Sequence, residues 1–150
     1  MNREILFKAK RLDNGEWVEG YYQKRFDLDG SEQHLIFWSK SYTVWEYAKI
    51  DPDTLCQYTG FTDKSGQKIW ENDILRGYQY PYRSDGNDNY FAEVTWFENC
   101  PAFGIYTFKN PKSNVCGISE GNTEFMENWN SEDWEVIGNI FDNPELLEVE

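Results

Sequence analysis

His34 is the single histidine of this chain, and Cys56, Cys100 and Cys116 are its three cysteines. A nucleophilic cysteine needs a base that lowers its pKa, so three Cys–His pairings exhaust that chemistry. None carries a local dyad signature, and one histidine excludes multi-histidine metal sites. The cysteine count is odd, with no C-x-x-C spacing, so reduced thiols are expected. Glu71 and Asp73 stand two apart and share one face of a strand. An acid–base couple would need one of them shifted by burial. Asp73 at a strand corner more simply accepts backbone hydrogen bonds. Asp27-Leu28-Asp29-Gly30 and Asp85-Gly86-Asn87-Asp88-Asn89 are rich in oxygen donors. Neither fits the twelve-residue calcium loop with its closing bidentate Glu, and hairpin turns account for both. Gly117, Gly121 and Gly138 lack the spacing of a phosphate loop. The expectation is a protein that is not an enzyme and has no metal or cofactor.

Aromatic side chains offer a better lead. Tyr78, Tyr80 and Tyr82 alternate through a segment containing Pro81, which sets them on one side of an extended loop. Tyrosine is amphipathic and loses little entropy when fixed, so these three are candidate protein-interaction residues. Stacking on bases has only Arg76 and Arg83 to support it. Packing over an open barrel end is the competing explanation.

The elements that must position such groups read as β-rich. The 150 residues suit one domain or two small subdomains. Apolar area is concentrated in 7 Trp, 10 Tyr and 10 Phe, which favour strands and argue against disorder. Strands are expected over 5–9, 17–22, 33–38 and 42–50, with Asn14-Gly15 and 27–30 as turns. Asp51-Pro52-Asp53 marks a boundary between an N-terminal β subdomain, 1–50, and a C-terminal one, 51–150, packed together through a tight link. In the second part strands are expected over 54–58, 68–70, 74–75, 90–98, 103–108 and 135–140. Turns are placed at Thr59-Gly60 and Asp63–Gly66. Residues 77–89 and 110–121 read as loops, 123–129 as a short helix, and Asn143-Pro144-Glu145 as the start of a terminal helical turn. Short strands with turn chemistry between them argue for small antiparallel β-barrels.

Net charge is −13 and is unevenly spread: zero over residues 1–50, −5 over 51–100 and −8 over 101–150. An acidic chain repels phosphate backbones, so direct nucleic-acid binding is disfavoured. Arg3, Lys8, Lys10 and Arg11 form the single basic cluster and read as the solvated face of an edge strand. No apolar run approaches a membrane span, and MNREILFKAKRLDNG shows no leader pattern. A cytoplasmic protein without membrane contact is therefore expected.

Three blocks then carry a resemblance. REILFKAKRLDNGEWVEGYY, DPDTLCQYTGFTDKSGQKIWENDIL and WEVIGNIFDNPELL resemble, in this order, the opening, centre and close of the YopX-like phage proteins. The matching positions are Tyr58, Thr59, Gly60, Asp63, Gly66, Ile69, Asp73 and Ile74 in the centre. At the close they are Val136, Ile137, Gly138, Asn139, Ile140, Asn143 and Pro144. The resemblance implies a phage or prophage accessory protein with SH3-like barrel character that self-associates, and it transfers no catalytic residue. Phe61 departs from the smaller aliphatic residue usual after the Thr-Gly pair. The expected function is a non-enzymatic, homo-oligomeric protein-interaction module bound to a host or phage protein. The alternative is an acidic nucleic-acid mimic that inhibits a host DNA-binding protein through Glu124, Glu127, Glu132, Asp133 and Glu135. Nucleic-acid binding through the neutral N-terminal half is a third class.

Overall fold

The computed structural model describes residues 3–78, 89–109, 123–126 and 134–148. The chain divides into two compact units, Met1–Gly60 and Phe61–Glu150. Both are antiparallel β-structure.

The first unit contains β1 (Phe7–Lys10), β2 (Trp17–Phe26), β3 (Glu32–Ser39), β4 (Trp45–Lys49) and most of β5 (Cys56–Thr62), in the order β4-β3-β2-β1-β5. The β1–β2 loop is closed by Gly15 in the left-handed region (φ 72°), with Gly15 N–H donating to Arg11 C=O. Asn14 keeps a negative φ. Its side chain accepts from Glu16 N–H and so ties the loop down. β2 serves two partners: Trp17–Gly20 pair with β1 and Tyr21–Phe26 with β3. Gly20 sits at that change, where an added Cβ would lie 2.0 Å from the Phe37 carbonyl oxygen. The absent side chain lets β2 bend there. Ala9, Ile36 and Ile50 are buried on the inner face, with Phe7, Val18 and Tyr22 against them. Asp51-Pro52-Asp53, the sequence's boundary signal, forms a 3₁₀ turn within this unit (Pro52–Thr54), with Asp53 N–H donating to the Asp51 side chain.

In the second unit the end of β5 pairs with β6 (Lys68–Trp70) through the Asp63–Gly66 turn. A five-stranded sheet follows in the order β10-β9-β8-β7-β11. Its strands are β7 (Asp73–Tyr78), β8 (Asn89–Phe97), β9 (Ala102–Lys109), β10 (Thr123–Phe125) and β11 (Trp134–Asn139). Ile69, Leu75, Ala92, Val94 and Ile105 form its core, closed by Met126 and Trp134.

Several expectations are corrected. The barrels do not close: among the described residues both sheets are open. The end of β1 meets the end of β4 through the isolated Arg11–Ile50 bridge, and one bridge is not a ladder. SH3-like closure is therefore absent. Of the short helix placed over 123–129 near the C-terminus, Thr123–Phe125 is instead a strand paired with β9, and 127–129 lie outside the described residues. The terminal helical turn is one 3₁₀ turn, Pro144–Leu147, and Asn143 does not cap it with its side chain. Asn143 bonds instead to Asn139 N–H. Thr59-Gly60 is not a turn but the middle of β5, which Gly60 traverses at φ 89°. β4 starts at Trp45 rather than at residue 42, since 40–43 bend. Among the described residues no helix is long and apolar enough to cross a membrane.

Candidate functional site

In β2, β3 and β4 the cross-strand partners Tyr21–Phe37 and Phe37–Tyr47 place three rings in a row on the outer face. Trp45, two residues before Tyr47, joins them by strand alternation. Phe37 and Tyr47 lie 5.5 Å apart at 36°, and Tyr21 and Trp45 lie 6.0 Å apart at 53°. These tilted geometries suit ring quadrupoles. Trp45 is 54 % and Tyr47 57 % exposed. Tyr21, Tyr22, Gln23, Phe37 and Trp45 line an open groove of about 470 Å³. A contiguous patch of rings held on a rigid sheet is how proteins present a contact surface. Sequence reasoning missed it. Trp45 and Tyr47 alternate with Glu46 and Ala48, which signals an outward aromatic edge. The pairing with Tyr21 and Phe37 needs the strand register.

His34 lies on the inner side of the same unit. Its Nδ1 is 2.6 Å from the Tyr22 hydroxyl and its Nε2 is 3.2 Å from a Glu32 carboxylate oxygen. All three groups are satisfied when Tyr22 O–H donates to Nδ1 and Nε2–H donates to Glu32. Lys24 reaches the same carboxylate at 3.1 Å. Both ring nitrogens are thus spent on Tyr22 and Glu32, and neither on a thiol. Cys56 is buried, with its S–H donating to Thr54 C=O, while Cys100 is exposed and free. Cys116 lies outside the described residues. No group of three or more potential metal ligands occurs among the described residues.

Of the three tyrosines chosen from sequence, Tyr78 ends β7, paired with Asn89, and Tyr80 and Tyr82 lie outside the described residues. Of the acidic set, Glu127, Glu132 and Asp133 also lie outside them, and Glu124 stands in β10. Glu135 is neutralised by Arg76, its cross-strand partner, and by Lys64 at 3.4 Å. It does not offer a bare carboxylate.

Burial pushes the Glu93 carboxyl above the ordinary carboxyl range. It stands between Ile74 on β7 and Tyr106 on β9. With its folded pKa raised, the native state binds a proton more tightly than the unfolded chain does. Stability therefore falls as pH rises from the ordinary carboxyl value through the raised one. Glu93→Gln should stabilise the protein at pH 7 by about 1 kcal/mol in urea unfolding. That gain should vanish below about pH 4, where the native carboxyl is already neutral.

The central acidic residues hold backbone. Asp63 is buried, and its Oδ1 accepts from Ser65 N–H and Gln67 N–H, both at 2.9 Å. Its Oδ2 accepts from Val136 N–H at 3.0 Å, across 73 residues. Asp73 is buried too and accepts from Trp70 N–H at 2.8 Å. Between them Asn72 takes a positive φ of 71°, donates its N–H to Val94 C=O and accepts from Ile140 N–H. At the other end Gly138 lies so close to Asn143 that a Cβ would sit 2.3 Å from its Oδ1. Central and closing motifs therefore meet through their main chains.

Comparison with protein families matches the YopX protein profile over residues 6–148. The chain belongs to the YopX family. A comparison with curated proteins finds no match. Among solved structures, the crystal structure of protein EF1440 from Enterococcus faecalis is similar, with 24 % identity and a TM-score of 0.51. The likeness covers 98 % of this chain and 100 % of that one, and it speaks to the fold. In this YopX-family chain the signature residues Asp63, Gly66, Asp73, Gly138, Asn139 and Asn143 act as turn-formers and main-chain acceptors. The exposed rings of β2–β4 lie outside that constellation, apart from the residues that build the frame.

Proposed function

We propose that this YopX-family chain is a non-enzymatic accessory protein of a bacteriophage or prophage. It works in the host cytoplasm by binding other protein molecules, further copies of itself included. The observation that carries this reading is the row Tyr21–Phe37–Tyr47 with Trp45 beside it, solvent-facing on a rigid sheet. Stable hydrophobic contact between proteins is built on such aromatic anchors. The signature carboxylates support it by being committed to backbone N–H groups rather than to a substrate.

The test is a combined Tyr21→Ser, Trp45→Ser, Tyr47→Ser variant. All three side chains are more than half exposed, so the fold should tolerate the change. Sedimentation should show loss of self-association, and affinity capture from infected cells should lose the partners that the parent chain retains. A variant that keeps both would refute the reading.

A further inference from the structure

β4 is the outer strand of its sheet, and the direction of its free hydrogen-bonding groups can be worked out. Ile50 N–H donates to His34 C=O, toward β3, while Leu12 N–H donates to Lys49 C=O from the opposite side. Main-chain groups alternate sides along a strand, so the N–H and C=O of Tyr47 and Trp45 also point away from β3. Leu12 covers the edge at Lys49, which leaves Trp45–Tyr47 as its open part among the described residues. An open edge carrying exposed rings is a template for strand pairing. Leu12, Tyr42 and Val44 flank it and are exposed as well.

We propose that β4 pairs antiparallel with β4 of a second copy about a two-fold axis at Glu46, joining the two sheets edge to edge. This rests on the reading of the outer face as an interaction surface and names its occupant. Three registers centred within Trp45–Tyr47 bring outward groups together, and the one centred on Trp45 would set Tyr47 against Thr43, where the chain bends. Centring on Tyr47 would drive Trp45 of the second copy into the space beside Lys49 that Leu12 holds. Centring on Glu46 pairs Trp45 of each copy with Tyr47 of the other and uses the open part alone. The chain bends before Val44, so the two copies diverge where Leu12 begins to intrude. Each Trp45–Tyr47 pair then exchanges two main-chain hydrogen bonds and sets an indole beside a phenol on the outer face. Charge is balanced on the axis. Each Glu46 is already bonded by Trp38 Nε1–H and by Lys40, both at 3.2 Å, so two carboxylates and two ammonium groups meet with no net charge. The contact is isologous and closes at two copies.

Tyr47→Pro is the discriminating substitution. It removes an N–H that faces away from β3, so the ladder within the unit is kept, and proline is tolerated at such an edge position. Sedimentation should show at least about 30-fold weaker association than the parent chain. Near-ultraviolet dichroism should show the fold retained. The second variant is Glu46→Cys in a Cys100→Ser, Cys116→Ser background. On the axis the two Glu46 positions form a non-hydrogen-bonded pair with Cα atoms about 4.5 Å apart, within disulfide reach. Oxidation should give a covalent dimer, and Thr43→Cys in the same background should not. A parent chain that stays monomeric at all concentrations overturns both this inference and self-association. A dimer indifferent to Tyr47→Pro, or one that Glu46→Cys fails to link, overturns the β4 edge alone.

Discussion

Asp63→Ala should destabilise the second unit by about 2–3 kcal/mol, since three main-chain N–H groups in part-buried bonds lose a charged acceptor at once. Each such bond contributes more than a neutral one, and an orphaned N–H costs its desolvation to the extent that it is shielded from water. Asp63→Asn should be milder but still costly, because its amide would turn a donor toward another donor. The measurement is urea unfolding together with amide hydrogen exchange. Ser65, Gln67 and Val136 should lose protection together, although Val136 is remote in sequence. An effect confined to the turn, sparing Val136, would show that the carboxylate does not tie β11 to it.

Gly20→Ala should cost about 3 kcal/mol in the first unit for a different reason. The new methyl would fall on the Phe37 carbonyl oxygen, which is main chain and cannot rotate away. Relief would require β2 and β3 to separate where β2 changes partner. Gly15→Ala is the contrast: nothing lies within 4 Å of its added Cβ. Its penalty is the positive φ alone, about 1 kcal/mol. Thermal unfolding of the two variants separates a packing glycine from a turn glycine. Equal losses would refute the steric assignment.

These two residues also show what the sequence could tell. The turn at Asp63 was legible because Asp, Ser and Gly at fixed offsets carry their own hydrogen-bond logic. The reach of Asp63 to Val136 was not, because it is a long-range contact. Gly60 misled for a related reason: a Thr-Gly pair reads as a turn, yet β5 runs straight through it. Thr123–Phe125 looked helical in isolation, and pairing with β9 made it a strand. Closed barrels were expected because short strands with turns suit them, but closure depends on which edges finally meet.

The exposed aromatic face followed the same rule. Tyr78, Tyr80 and Tyr82 stand out in the sequence because their alternation is visible within five residues. Tyr21, Phe37, Trp45 and Tyr47 come from three strands and assemble only through register. The exposure of Trp45 and Tyr47 on an outer strand has no counterpart in composition. For His34 the partners are local instead: both ring nitrogens meet neighbours on its own hairpin.

β11 sets a timetable. It joins β7 and supplies the N–H that Asp63 accepts from 73 residues further along the chain. As the chain leaves the ribosome, the N-terminal hairpins can zip from neighbours already synthesised. The later sheet must wait with one border of β7 bare until Trp134–Asn139 emerges. Translation speed between β7 and β11 thus governs how long that border stays open to the wrong strand.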